Sequence, residues 1–92
     1  MSLRINDAVI WQETAEGISL YHTETGDFRT LNSTGSRIWM LVESDGEREP
    51  IVSKLSHEFA GSNTAVSRRI RTDVHDFIGT MIESELIEER PA

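Results

Sequence analysis

The first third of the chain carries three short runs of strand character: apolar and β-branched residues dominate the first, and the other two alternate apolar and polar positions with the two-residue period of a β-strand. Runs of this kind cover residues 8–12, 18–22 and 27–31, and turn-forming segments separate them at 13–17 and 23–26. In the second run, Ile18, Leu20 and His22 share one face. Three short strands joined by loops of four or five residues predict an antiparallel meander.

After Asn32 the apolar period becomes helical. Ser33 or Thr34 is a suitable N-cap for a first helix, because either hydroxyl can accept from the free amides of the first turn. Pro50 fits the first turn of a second helix, and Gly61 is expected to end it. Three apolar stripes define the three helices: Ile38, Leu41 and Val42; Ile51, Val52, Leu55 and Phe59; and Val66, Ile70, Val74, Phe77, Ile78, Met81 and Ile82.

These elements predict an α+β fold in the order β-β-β-α-α-α, with one face of a three-stranded antiparallel sheet packed on the helices. Three helices beside a small sheet have the general shape of a winged helix-turn-helix. We expect residues 1–92 to form a single domain that is ordered from about residue 5 to residue 88. Leu86 and Ile87 are expected to form a final hydrophobic anchor.

Charge and composition exclude several kinds of protein. Nine Lys and Arg against sixteen Asp and Glu give a formal charge of −7, which disfavours non-specific binding to nucleic acid. The absence of cysteine excludes disulfides, thiolate metal sites and thiol nucleophiles. Neither a signal peptide nor an apolar run long enough to cross a bilayer is present, so we expect a cytoplasmic protein without membrane contact.

Residues suited to catalysis do not cluster in the sequence. His22, His57 and His75 lie on different predicted elements, and none has a partner at the spacing of a metal site. We therefore predict no enzyme, no metal and no cofactor. A winged helix could bind DNA through its third helix, where Arg68, Arg69 and Arg71 supply cations. Acidic residues that would face the same phosphates (Asp73, Asp76, Glu83 and Glu85) oppose that interpretation.

A polypeptide-binding module is the better hypothesis. One outer strand of a meander has an unpaired edge, and its free backbone groups can pair with an extended peptide. If the third predicted strand is that edge, the helix that begins directly after it keeps the strand short. The long third helix would then form the other wall of a groove.

The run from Leu31 to Trp39, LNSTGSRIW, resembles the LN-x-T-G-x-x-I-W signature of PqqD-like proteins. The resemblance extends from about Val9 to Ile87 through the spacing of Leu20-Tyr21-His22 and Gly26-Asp27-Phe28, the helix leading to Phe59, and the segment from Asp73 to Ile78. It implies a winged-helix recognition element that binds the leader of a ribosomally made precursor peptide without catalysing a reaction.

The resemblance also implies where the leader binds. In that family the leader adds as a strand beside the third strand and rests against the third helix. The matching positions of this chain are Asp27, Phe28, Arg29, Thr30 and Leu31 on the strand, and Arg71, Val74, His75 and Ile78 on the helix. Phe28 and Leu31 could equally be core residues.

Free-standing members of the family serve two kinds of pathway. Some act as peptide chaperones for radical-SAM enzymes, and others act in lasso-peptide pathways beside a leader peptidase and an ATP-dependent cyclase. The chain is most similar to the lasso-peptide type. This implies that a Tyr-x-x-Pro element of the leader docks in an apolar pocket beside the third strand. The open edge leaves both a monomer and a strand-exchanged dimer as expectations.

Overall fold

The structure is a computed structural model that describes residues 2–91. Within this range the chain forms five strands and three helices: β1 (Ser2–Ile5), β2 (Val9–Thr14), β3 (Gly17–His22), β4 (Phe28–Thr30), α1 (Ser33–Ser44), α2 (Arg48–Ala60), α3 (Thr64–Glu83) and β5 (Ile87–Arg90). The predicted α+β class is confirmed. Met1 and Ala92, at the ends of the predicted domain, lie outside the described residues.

The three predicted strands form one antiparallel sheet in the order β2-β3-β4. The predicted five-residue turn between the first two is too long, because pairing continues to Thr14 opposite Gly17 and leaves a two-residue connection. Gly17 has φ of +130°, a conformation that glycine adopts without strain. The third predicted strand is β4, and it pairs with β3 from Phe28 to Thr30.

A second sheet of two strands corrects the predicted order of elements. β1 pairs antiparallel with β5, so that Ile5 lies opposite Ile87, and the sequence pattern predicts neither strand. Leu86 and Ile87, predicted as a final anchor, are buried where β5 begins. The strands were missed because each is only four residues long and gains its stability from a partner at the other end of the chain.

Side-chain caps fix where two of the helices begin. The N-cap of α1 is Asn32, whose Oδ1 accepts from the N–H of Gly35 at 2.8 Å, so the predicted caps at Ser33 or Thr34 are wrong by one or two residues. Asn63 caps α3 in the same way through the N–H of Val66. These caps satisfy amide groups that have no partner within a helix.

The core lies between the inner face of the β2-β3-β4 sheet and the three helices. Its fully buried side chains include Ile18 and Leu20 from the sheet, Trp39 from α1, Leu55 from α2 and Ile78 from α3. The indole rings of Trp11 and Trp39 meet edge to face, with centroids 6.3 Å apart. Among the described residues, no helix combines the length and the apolar character needed to cross a membrane.

Candidate functional site

β4 is an edge strand of its sheet and pairs only with β3 among residues 2–91. His22 donates its N–H to Asp27 C=O at 2.8 Å, and Leu31 donates to Ile18 C=O at 2.7 Å. Because hydrogen-bonded and non-hydrogen-bonded pairs alternate in an antiparallel ladder, the backbone groups of Arg29 point toward β3. Those of Phe28 and Thr30 therefore point away from the sheet. Two N–H and two C=O groups are presented at this edge.

The β4 edge is fixed by a compact junction between β3, β4 and α1. The Ser36 hydroxyl accepts from Ile18 N–H at 2.9 Å and lies 3.2 Å from Leu31 C=O, to which it donates. A Cβ added to Gly17 would lie only 2.1 Å from the Leu31 carbonyl oxygen. The near absence of a loop between β4 and α1 thus lets the first turn of α1 hold the end of the strand.

Arg29 ties the strand to the end of α3. Its side chain lies on the inner face of the sheet, since Arg29 is opposite the buried Leu20. The Nε atom donates to Asp27 at 2.9 Å, and a terminal nitrogen donates to the Ser84 hydroxyl at 2.9 Å. The β4 edge and the C-terminal end of α3 are therefore neighbours.

A groove of about 340 Å³ lies between the start of α1 and α3, and we call it the α1–α3 groove. Its lining is mostly apolar, and it consists of Asn32, Thr34, Gly35, Ile38, Phe59, Ile70, Asp73, Val74 and Phe77. A Cβ on Gly35 would lie 3.0 Å from the Phe77 ring, so glycine allows the close approach of α1 and α3 at the floor of the groove. Because Asn32 lies two residues beyond Thr30, the groove opens at the end of β4.

Besides the Arg29–Asp27 pair at the β4 edge, an ion pair joins α1 to α2. Arg37 of α1 binds Glu58 of α2 through two hydrogen bonds of 3.1 and 3.2 Å. The hydrogen bond from this guanidinium lowers the pKa of the Glu58 carboxyl below its usual range. Among the described residues, no three acidic or histidine side chains come close enough together to hold a metal ion.

The sequence model of a family described as Coenzyme PQQ synthesis protein D (PqqD) matches residues 17–87, which is more than half of the 92 residues. The chain belongs to the PqqD family. The resemblance found in the run from Leu31 to Trp39 is thereby confirmed, and the structure gives its residues physical roles. Leu31, Ile38 and Trp39 are buried, Asn32 caps α1, and Gly35 receives the Phe77 ring.

Two solved structures have the same PqqD-like fold. TbiB1 in complex with the TbiA(beta) leader peptide is 29% identical, with a TM-score of 0.81 over 97% of this chain and 99% of that chain. Lasso peptide synthetase B1 complexed with the leader peptide is 17% identical, with a TM-score of 0.77 over 97% of this chain and 100% of that chain. No curated protein sequence matches the chain.

The strand residues predicted for the site of this PqqD-family chain lie together at the β4 edge. Phe28 and Thr30 are exposed on the outer face, whereas Asp27 and Arg29 are half-buried and bound to each other. Leu31 is 6% exposed and belongs to the core.

The predicted helix residues lie on two sides of α3. Val74 lines the α1–α3 groove, and Ile78 is fully buried beneath it. Arg71 and His75 instead face the first turn of α2, where both approach Glu49, at 3.8 and 3.9 Å. The predicted wall of the site is therefore divided between the groove and the α2 side of α3.

The sequence pattern does not distinguish most of the residues that line the groove. Ile70, Val74 and Phe77 follow the helical spacing of three and four, but the same stripe continues into the core at Ile78. Spacing alone could not separate the groove-facing residues from the buried ones. Asp73, a charged residue at that stripe's margin, was the available signal that this part of the stripe reaches solvent.

Proposed function

We propose that this PqqD-family chain binds the leader segment of a ribosomally synthesised precursor peptide by adding it as a strand at the β4 edge. The observation that carries the proposal is the outward orientation of the Phe28 and Thr30 backbone groups at an open edge beside an apolar groove. The 29% identical TbiB1 is known in complex with a leader peptide, which supports a guest of the same class.

A guest strand at β4 would form up to four backbone hydrogen bonds with Phe28 and Thr30. Its side chains would alternate between the outer face of the sheet and the inner side, where α3 and the α1–α3 groove lie. We propose that the apolar side chains of a Tyr-x-x-Pro element of the leader bind in this groove. Of the residues expected from the resemblance, the guest would contact Asp27, Phe28, Arg29, Thr30 and Val74 in this proposal. Leu31 and Ile78 would support the site from the core, and Arg71 and His75 lie on the α2 side of α3.

In this proposal the chain has no catalytic role. It acts in the cytoplasm by holding the leader while a leader peptidase and an ATP-dependent cyclase of a lasso-peptide pathway process the precursor. The role of peptide chaperone for a radical-SAM enzyme is the alternative. Both roles use the same β4 edge, and pull-down of the chain with either class of enzyme discriminates between them.

The test is a titration of the full chain with synthetic leader peptides, taken from any short precursor encoded near its gene and from TbiA(beta), whose leader is bound by the 29% identical TbiB1. We expect one peptide per chain by calorimetry. Thr30→Pro removes the outward N–H and should weaken binding about tenfold, since an unmade hydrogen bond that leaves a partner unsatisfied costs about 1–3 kcal/mol.

Two matched variants separate the backbone effect from other effects of the substitution. Thr30→Val keeps the N–H and removes only the hydroxyl, which lies 3.4 Å from the Ser19 hydroxyl. Glu13→Pro removes an N–H that faces outward on the opposite edge of the same sheet, because Glu13 pairs with Ile18 outside the hydrogen-bonded positions. Glu13→Pro should bind the leader like the unsubstituted chain, and Thr30→Val should bind it more tightly than Thr30→Pro because the outward N–H is kept. Unchanged binding by a folded Thr30→Pro variant would contradict strand addition at this position.

The alternative proposal is that the chain is a winged helix-turn-helix module that binds DNA. Arg68 and Arg69 are exposed on α3 and would be the phosphate contacts. Affinity for duplex DNA that falls steeply with salt would favour this alternative. The formal charge of −7 makes it the weaker of the two proposals.

A further inference from the structure

The outer face of the β2-β3-β4 sheet carries a row of exposed apolar side chains. Ile10 lies opposite Tyr21, and Tyr21 lies opposite Phe28, so the three form one line across the strands. Their exposed fractions are 65%, 42% and 66%. Antiparallel sheets usually place polar residues on a face that is open to water. An exposed apolar row on such a face therefore indicates a surface that binds a partner.

The neighbouring row on the same face is polar. Gln12 lies opposite Ser19, and Ser19 lies opposite Thr30, with the two hydroxyl oxygens of the latter pair 3.4 Å apart. A step of two residues along each strand therefore changes the outer face from an apolar row to a polar row. The outermost member of each row is a β4 residue, Phe28 or Thr30, and these are the residues whose backbone groups point toward the open edge.

We infer that the guest strand continues both rows: it places an apolar side chain in line with Phe28 and a polar or hydroxyl side chain in line with Thr30. The inference rests on the proposed strand addition and adds the chemistry of the guest to it. Any strand that pairs with β4 must put alternate side chains on this face, so the occupant of the fourth position in each row is the guest itself.

The spacing of the two guest residues follows from the pleat. Residues on one face of a strand are two apart, so the guest carries the apolar and the polar side chain at positions i and i+2. Their order reports the direction of the guest. In an antiparallel guest the polar residue precedes the apolar one, whereas in a parallel guest the apolar residue comes first.

The experiment uses a phage-displayed library of random 12-residue peptides, selected in parallel on the full chain and on its Phe28→Thr, Thr30→Pro and Glu13→Pro variants. Threonine keeps the strand propensity at position 28 while removing the aromatic ring. The peptide most enriched on the unsubstituted chain is then synthesised, and its dissociation constant for each variant is measured by fluorescence anisotropy.

We expect the unsubstituted chain and Glu13→Pro to enrich an apolar residue two positions from a polar one. Phe28→Thr should lose the apolar enrichment and bind the synthesised peptide about fivefold more weakly, which corresponds to the ~1 kcal/mol upper range of a cross-strand pair. A version of the peptide with threonine at the apolar position should bind the unsubstituted chain and the Phe28→Thr variant with equal affinity.

The outcomes separate this inference from the proposed function. If Thr30→Pro abolishes binding while Phe28→Thr selects the same sequences with the same affinity, the guest does not continue the apolar row and the inference is overturned. If every enriched peptide binds the Thr30→Pro variant as tightly as the unsubstituted chain, strand addition at β4 is refuted, and the inference is refuted with it.

Discussion

Gly17→Ala tests whether the junction between β3, β4 and α1 builds the binding edge. Alanine at this position must adopt φ near +130°, which costs about 1–3 kcal/mol for a residue with a Cβ. The new Cβ would lie 2.1 Å from the Leu31 carbonyl oxygen and 3.0 Å from the Ser36 hydroxyl. One of these groups must move, and the obstruction at Leu31 is backbone rather than a flexible side chain.

The displacement would break hydrogen bonds that join the strands to α1. Ser36 accepts from Ile18 N–H and donates to Leu31 C=O, and each such bond contributes about 0.5–1.5 kcal/mol. Together with the backbone strain, we expect Gly17→Ala to lower the free energy of unfolding by about 4 kcal/mol. This is a large share of the ~5–15 kcal/mol typical of a domain.

Gly26→Ala is the matched control. Gly26 also has a positive φ, +79°, but a Cβ there would meet nothing within 4 Å. Its expected cost is therefore conformational only, about 1–2 kcal/mol. The difference between the two variants reports the contacts of residue 17 with Leu31 and Ser36, together with the difference in backbone strain between φ of +130° and +79°.

The assay is urea denaturation followed by circular dichroism, with the slope of the transition compared between variants. The thermal midpoint should fall by at least ~15 °C for Gly17→Ala, since ~1 kcal/mol corresponds to about 4–8 °C in a domain of this size. Leader affinity, measured below the transition, should also fall, because the end of β4 is displaced. Equal destabilisation by Gly17→Ala and Gly26→Ala would refute the role given to the junction.

Three further predictions concern stability. Asn32→Ala should cost about 1 kcal/mol by urea denaturation, because the N–H of Gly35 loses its cap, and Asn32→Asp should cost little since it keeps the acceptor. Arg37→Gln should raise the pKa of Glu58 toward its usual value, as measured by NMR titration. Because the pKa of Glu58 is lowered in the folded state, the pair stabilises the protein at pH values above the unfolded pKa of Glu58. This stabilisation is lost as the pH falls through the folded pKa. Leu86→Ala should cost about 2–5 kcal/mol if the segment before β5 belongs to the core, and a cost below 1 kcal/mol would contradict that placement.

Local periodicity predicted the elements whose stability depends on near neighbours. The β2-β3-β4 meander and the three helices follow from alternation, helical stripes and turn residues within short windows of sequence. β1 and β5 were missed because Ile5 and Ile87 pair across almost the whole chain. A four-residue strand containing an exposed Arg4 carries no pattern that distinguishes it from a loop before its partner is known.

The site was predictable to the extent that it lies on one strand. The edge position of β4 followed from a meander in which the third strand is outermost, and the structure places it there. The α1–α3 groove did not follow, since it depends on how closely Gly35 lets α1 approach Phe77. The orientation of Arg71 and His75 likewise depends on Glu49 of another helix, which no spacing within α3 reveals.

An edge that accepts a guest strand must also avoid pairing with a second copy of itself. β4 meets this requirement through its length, since three residues offer too few backbone groups for a stable pairing without further contacts. Arg29, at the centre of the strand, points inward and is held by Asp27 and Ser84, and an inward-pointing charge is a recognised obstacle to edge-to-edge pairing. A guest that also fills the α1–α3 groove gains contacts that a second β4 strand lacks. Under the proposed function we therefore expect the same short strand to resist dimerisation and still bind a peptide, because the groove would supply the affinity that the ladder alone lacks.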